Sequence, residues 1–318
     1  MDKILTISIA SYNVEKYIKE TLDSLVNSPA IDALEVLVVN DGSKDKTVEI
    51  VRGYEKEFPN SIRLIDKQNG GWGSTINASL KEATGKYYKL LDGDDWFKTE
   101  NIEEYINILK DAQTDIVLTQ YTKVFEPNMD RELVECDLPT EKEISVRDLE
   151  SLAMHALAIK TECIKDKIFI TEKCFYTDVE FVIKCAGQAN SVAYYPISIY
   201  EYRLGVGGQS VSPASYGKNF LQHQTVLKTI LPIVFDSNKL SNFEDFLKNL
   251  ASDHYAICLY ASINRTNYKK LKDFSKYLKH NFNDVYKSIS KIKRIASKNY
   301  LVYLLSAKKL HKQHGIVN

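Results

Sequence analysis

The sequence predicts an α/β fold, a sheet of parallel βαβ units followed by a mainly helical C-terminal region. Two observations predict it. Within the first ninety residues an aliphatic run, a polar loop and an amphipathic stretch follow one another three times. That is the pattern of right-handed βαβ crossovers with helices on the sheet faces. From about Pro213 onward strand signals vanish and apolar residues recur at helical spacing. A boundary near 213 therefore divides the 318 residues into two domains, 1–212 and 213–318.

Each element has its own warrant. Ile4–Ala10 is a β-rich aliphatic run, a buried strand. Ser11-Tyr12-Asn13 breaks it, and Asn13 is placed to cap a helix over Val14–Val26. Leu34–Val39 is a second buried strand, ending in Asn40-Asp41-Gly42-Ser43, after which Ser43 or Asp45 starts a helix through Glu57. Ser61–Ile65 is a third, short strand. Asn69–Ser74, with three glycines, reads as a flexible loop before a helix over Thr75–Ala83. Gly85 ends that helix, and Lys86–Leu91 is a fourth strand. The spacing further predicts a helix over Thr99–Ala112, a strand over Asp115–Gln120, a hairpin around Tyr121–Val124 and Glu132–Cys136, and helices over Val146–Met154 and Tyr176–Lys184. Strands follow over Ser191–Tyr195 and Ile197–Tyr202, then a Gly-rich loop to Ser212. The remaining helices are expected over Phe220–Ile230, Phe243–Ile263, Leu271–Leu278, Ile289–Ile295 and Tyr300–Leu310.

Composition bounds the function classes. Hydrophobic residues make up 44% and charged residues 26%, ordinary for a soluble globular chain. Formal net charge is zero but unevenly spread: residues 285–318 carry eight Lys/Arg and no Asp or Glu, leaving a net of −8 in the first 284. An acidic body argues against a general nucleic-acid binder. The basic tail, 285–318, has two readings: a solvated helix face, or a face lying on an anionic bilayer, where Ile289, Ile292, Ile295 and Leu301–Leu305 stand beside lysines. Five scattered cysteines form no Cys-x-x-Cys pair, so zinc and redox motifs are unsupported and a reduced, cytoplasmic setting is expected. The first ten residues are too short and too strand-like for a signal peptide, and no run reaches the ~18 apolar residues of a membrane span. The expected location is cytoplasmic, with peripheral attachment at the inner face of the cell membrane under the second reading of the tail.

The densest chemistry is Asp92-Gly93-Asp94-Asp95, three carboxylates within four residues directly after the fourth strand. Carboxylates this close repel unless a cation sits among them, and Asp oxygens are hard ligands suited to Mg2+ or Mn2+. Gly93 lets the backbone turn so that Asp92 and Asp94 face one point. Three strand-end loops, Ala10–Asn13, Asn40–Ser43 and Asp92–Asp95, would converge on the sheet edge where open α/β sheets place ligands.

The ordered set Ile7-Ser-Ile-Ala-Ser-Tyr-Asn13, Val38-Val-Asn-Asp-Gly-Ser-Lys-Asp45, Asn69-Gly-Gly71, Ala83-Thr-Gly-Lys-Tyr87 and Leu90-Leu-Asp-Gly-Asp-Asp-Trp96 resembles the family 2 glycosyltransferases. These are inverting enzymes of the GT-A fold, a Rossmann-like nucleotide-sugar-binding domain. The resemblance covers about residues 4–212 and extends to Phe175–Phe181, Tyr200–Arg203 and Gln209–Ser212. It implies a UDP-sugar donor held near Ala10, with Tyr12 stacked on the base, Asp41 accepting the uracil N3–H and Asn69 at the base or ribose. Asn69 as a turn residue stands as the alternative. Asp94 would ligate Mn2+ or Mg2+ directly. Asp92 would share that duty with the ribose or a metal-bound water, and Asp95 would orient a neighbour. Asp178 matches the family's catalytic base, although Thr177 stands where the family commonly has Glu. Glu180, two residues on, would face about 200° away on a helix. Arg203 with Ser210 and Ser212 would close over the diphosphate. Ile76 and Asn77 stand where many relatives place an Arg, so that contact is absent or made elsewhere. His155 and His223 are read as packed or surface histidines.

The expected activity is metal-dependent, inverting transfer of a hexose or N-acetylhexosamine from a UDP-sugar to a hydroxyl of a glycan, glycoprotein glycan, lipid-linked acceptor or cell-surface polymer. A sugar-nucleotide pyrophosphorylase would need a Gly-rich, Lys/Arg-containing signature after the first strand, which Ala10–Val14 lacks. A non-catalytic nucleotide-sugar or carbohydrate binder on a degenerate GT-A fold is the remaining alternative, kept open by Asn40, Ile76 and Thr177.

Overall fold

The computed structural model describes residues 2–205, 213–236 and 238–314. The chain divides into two compact units, Met1–Asp148 with Leu152–Val206, and Gly207–Asn318 with Leu149–Ser151.

The first unit opens with β1 (Leu5–Ser11), α1 (Ile18–Val26), β2 (Leu34–Asn40), α2 (Thr47–Glu57), β3 (Ile62–Asp66), α3 (Trp72–Glu82) and β4 (Tyr87–Asp92). It continues through β5 (Trp96–Phe97), α4 (Ile102–Asp111), β6 (Ile116–Phe125), β7 (Asp130–Val134), β8 (Ile144–Ser145), β9 (Leu157–Lys160), α5 (Thr161–Ile164), α6 (Thr177–Gln188) and β10 (Ser191–Leu204). All ten strands form one sheet, ordered β3-β2-β1-β4-β9-β6-β10-β5, with β7 beside β6 and β8 beside β10. The β3-β2-β1-β4 half is parallel, as the βαβ pattern predicts. The other half is mixed: β9 runs antiparallel between β4 and β6, while β6 and β10 are parallel.

The core lies where the aliphatic runs cross. Leu5, Ile7, Ile9, Val36, Val38 and Leu91 are fully buried with Ile18, Leu22 and Leu25 of α1. Ile18, Leu22 and Leu25 recur at helical spacing, so α1 presents one apolar stripe to the sheet. Each such side chain contributes on the order of 1.5–3 kcal/mol by leaving water.

Several boundaries differ from the sequence expectation. Asn13 does not cap a helix: its backbone is left-handed at φ 53° and its Oδ1 accepts from Lys44 N at 2.7 Å, tying two loops together, so α1 starts only at Ile18. The glycine loop is shorter than expected, because Gly71 at φ 81° turns the chain straight into α3 at Trp72. Val146–Met154 is no helix: single 3-10 turns at Val146–Asp148 and Met154–Ala156 flank a non-helical segment. The two late strands are one, β10, whose register with β6 shifts between Tyr195 and Tyr200, around Pro196, a residue with no N–H for the ladder.

The second unit holds α7 (Pro213–Phe235), α8 (Glu244–Tyr260), α9 (Arg265–Asn281), α10 (Asn283–Ser288), α11 (Lys291–Ala296) and α12 (Tyr300–His314). Leu227, Ile230, Leu231, Phe243, Leu247, Phe274, Leu278 and Tyr303 are buried in it. Among the described residues no helix is long and apolar enough to cross a membrane.

Candidate active site

Register builds the site. Ala10 is level with Asp92 and Ser11 with Asn40, so β1, β2 and β4 end on one edge. Backbone bonds lock the three ends together: Asp41 N donates to Ser11 O at 2.8 Å and Gly93 N to Ala10 O at 3.0 Å. A Cβ on Gly93 would lie 2.9 Å from Ala10 O and 3.2 Å from Ser11 Oγ, so only glycine lets this turn approach β1 so closely. From α1, Thr21 Oγ1 donates to the carbonyls of Gly93 at 3.1 Å and Asp95 at 2.7 Å, fixing the turn from beneath.

Within the turn the three aspartates diverge. Asp95 is buried and structural: Tyr200 Oη donates to its Oδ2 at 2.6 Å and Arg203 N to its Oδ1 at 2.8 Å. Asp92 and Asp94 are half-buried and remain at the edge. Trp72 Nε1 donates to Asp92 Oδ1 at 2.7 Å, and Asp92 N donates to Tyr200 Oη at 3.1 Å. Burial, then the charge of Asp94, pushes Asp92 up to about 7, with Asp178 adding to the rise and the Trp72 bond opposing it. Burial likewise raises Asp94 and Asp178.

Asp178 stands in the first turn of α6, after Tyr176 in left-handed backbone at φ 65°. As a residue it is exposed, while its carboxyl lies close enough to its neighbours for desolvation to raise its pKa, and its charge reaches Asp92. Glu180 points elsewhere: fully buried, it accepts from Lys184 Nζ at 2.6 Å and from Thr171 N and Oγ1 at 3.1 Å. Tyr202 faces the same carboxylates, and burial with the charges of Asp95, Asp92, Asp178 and Asp94 raises its hydroxyl far above the ordinary range. His155 stacks between Tyr202 at 4.2 Å and Tyr121 at 5.0 Å; burial drives it down to about 3, so it stays neutral.

A second group of contacts is assembled around Asp41. Its carboxylate is turned into the glycine loop, accepting from Gly70 N and Gly71 N at 2.8 Å and from Lys67 Nζ at 2.6 Å. It is almost fully buried and organises the loop, a role not expected from sequence. Asn69 is exposed, with its Nδ2 donating to Asp41 O at 2.9 Å. Tyr12, just after β1, is 51% exposed. Ala10 contributes its carbonyl to Gly93.

Arg203, expected over a diphosphate, is placed differently. It is 4% exposed and faces inward: Nε donates to Asp94 O at 2.7 Å, Nη2 to Glu20 at 2.6 Å and Nη1 to Glu126. The rings of Trp96 at 4.4 Å and Tyr17 at 4.9 Å flank its guanidinium. Two carboxylates compete for this cation, so it buttresses the aspartate turn from behind. Ser210 and Ser212 lie outside the described residues.

Sequence reasoning missed Trp72, Tyr200 and Lys67 as organisers of the aspartates. Trp72 lies in the loop singled out by its glycines, but no spacing rule links it to a residue twenty positions later. Lys89 is a further case: buried in β4, its Nζ donates to the carbonyls of His155 at 2.7 Å and Leu157 at 3.2 Å, and burial lowers it to about 7.

Among the described residues no group of three or more His, Cys, Asp or Glu side chains is placed to hold an ion. Mg2+ and its analogues, however, commonly take one or two carboxylates and complete their shell with substrate phosphates and water. Asp92 and Asp94, hard donors on one glycine turn whose pKa values are raised by burial, fit that mode.

Comparison with known proteins agrees with this geometry. The sequence model of the family described as Glycosyl transferase family 2 matches residues 6–165. EpsH of Bacillus subtilis (strain 168) is 25% identical over 278 residues, covering 80% of this chain and 76% of that protein. The minor teichoic acid biosynthesis protein GgaB of the same organism is 28% identical over 240 residues, 70% of this chain but only 26% of GgaB. Among solved structures, S. aureus TarS 1–349 in complex with UDP-GlcNAc superposes with a TM-score of 0.69 at 19% identity, covering 98% of this chain and 92% of that one. The mannosyltransferase PcManGT from Pyrobaculum calidifontis, in complex with GDP-Man and Mn2+, gives 0.55 at 17% identity, covering 97% and 87%. At these identities the superpositions establish the fold, which is GT-A with a mainly helical C-terminal region.

Proposed function

The chain belongs to glycosyl transferase family 2 and is a glycosyltransferase; from that premise we propose metal-dependent, inverting transfer of a hexose or N-acetylhexosamine from a UDP-sugar to a glycan hydroxyl. The observation that supports this is that Asp178, in the first turn of α6, lies near enough to the Asp92-Gly93-Asp94 turn for its charge to add to the rise of Asp92. Inversion by direct displacement needs one carboxylate at the acceptor hydroxyl and an electrophilic side where the nucleotide diphosphate departs. Asp178, solvent-accessible in the first turn of α6, takes the acceptor proton, and its raised pKa suits a general base. Glu180 is bound by Lys184 and Thr171 and leaves that role to Asp178. Asp94 and Asp92 would hold Mn2+ or Mg2+, which would supply positive charge against the departing diphosphate. Trp72 fixes Asp92, Tyr12 receives the base, and Asn69 meets the base or ribose. Asp41 shapes the loop that carries Asn69.

A UDP donor and a cell-surface polymer as acceptor rest on what TarS and GgaB are named for; glycoprotein glycans and lipid-linked sugars share the same hydroxyl chemistry. Residues 1–212 are the catalytic domain and 213–318 a helical appendage, and the protein works in the cytoplasm.

The test is UDP release from a panel of UDP-sugars with Mn2+, with Mg2+ and with chelator. Metal-dependent turnover is expected, and Asp178→Asn should lower it by about 10²–10⁴-fold while UDP affinity holds. Binding of UDP without turnover of any donor would favour the non-catalytic alternative. Turnover indifferent to chelator would remove the metal.

A further inference from the structure

We propose that the exposed face of α11 and α12 docks on an anionic lipid bilayer. Helix α12 has two faces. Tyr303, Ala307 and His311 are buried, and His311 Nε2 pairs with Leu259 O at 2.8 Å. The other face carries Leu301 at 64% and Leu305 at 61% exposure, continued by exposed Lys308, Lys309 and Lys312 at the same three- and four-residue spacing. Helix α11, packed beside it, repeats the design: Ile292 at 70% and Ile295 at 41% are exposed between Lys291 and Lys298, whereas Ala296 and Ser297 are buried.

Large aliphatic side chains exposed at this level and framed by lysines mark an interaction surface rather than a solvated helix. Chemistry selects the occupant. Residues 285–318 contain no Asp or Glu, so the face repels a second copy of itself and fits an anionic partner. Its exposed apolar residues are Ile and Leu, without the exposed aromatics on which nucleic-acid bases stack. Aliphatic insertion flanked by lysine is the chemistry of an amphipathic interfacial helix. The inference does not depend on the donor or acceptor assigned above.

Co-sedimentation of the full chain with phosphatidylcholine vesicles, with and without phosphatidylglycerol, at low and high salt, tests it. Binding is expected only with the anionic lipid and should weaken with salt. Lys308→Glu with Lys309→Glu, and separately Leu301→Ser with Leu305→Ser, should each lower partitioning at least tenfold, at roughly fivefold per charge near the surface. Both double variants should keep the parent's helical circular dichroism and UDP affinity. Absence of binding by the folded parent chain, or equal binding by all three proteins, overturns the proposal. A dimer seen by light scattering and lost in the leucine variant would give the face to a second copy and overturn it as well.

Discussion

Trp72 and Arg203 carry the least obvious work of the site. The Trp72 indole occupies one oxygen of Asp92. Trp72→Phe keeps the ring but orphans that oxygen, at about 1–3 kcal/mol. Steady-state kinetics should show kcat/KM falling roughly tenfold to a hundredfold, and the melting temperature should fall by only a few degrees; unchanged kinetics would deny Trp72 a part in positioning. Arg203 makes the opposite prediction. Its guanidinium lies inside the fold between Glu20 and Glu126, so Arg203→Ala strands two carboxylates. Urea unfolding should lose about 3 kcal/mol, the low end for a broken buried pair because Glu20 is half-exposed. UDP affinity should hold in the variant that remains folded. A large loss of UDP affinity with normal stability would return Arg203 to the diphosphate.

At the scale of elements, α7 and α8 meet through a buried histidine pair. His223 Nδ1 lies 3.2 Å from His254 Nδ1 with the rings stacked, Cys258 Sγ is 3.3 Å from His254 Nε2, and Phe274 meets His254 edge-on at 4.7 Å. Burial lowers His223 to about 4 and His254 well below its ordinary value, and His223 and Lys228 disfavour a charge on His254. In this case the folded pKa lies below the unfolded one. The unfolded chain therefore binds more protons between about pH 6.5 and 4, and stability present above 6.5 is lost as pH falls through that window. Denaturant midpoints followed by helical circular dichroism should drop with a slope approaching 1.4 kcal/mol per pH unit per histidine. His223→Gln should flatten the slope by about half; an unaltered slope would place the acid sensitivity elsewhere.

The whole molecule pairs an α/β unit with a helical one, each with its own buried core. Residues 1–212 expressed alone should unfold cooperatively and bind UDP as the full chain does, measured by calorimetry; an unfolded fragment would make the helical unit part of the catalytic fold. Much of the first unit was legible. The aliphatic runs of β1, β2 and β4 and the polar loops after them dictate a parallel array, because a strand buried on both faces has to be nearly continuous in apolar residues. The later half was less legible. Leu157–Lys160 is too short to announce a strand and pairs only because β4 and β6 offer edges on either side. By itself the sequence determined the parallel half-sheet, the aspartate turn at its edge and the basic, acid-free tail, since local periodicity and charge need no partner to be read. Only the tertiary structure decided which aspartate stays at the edge, that Arg203 turns inward and which face of α12 keeps its leucines in water. Those outcomes depend on competition among side chains far apart in the chain: Tyr200 claims Asp95, Trp72 claims Asp92, and Glu20 and Glu126 claim Arg203.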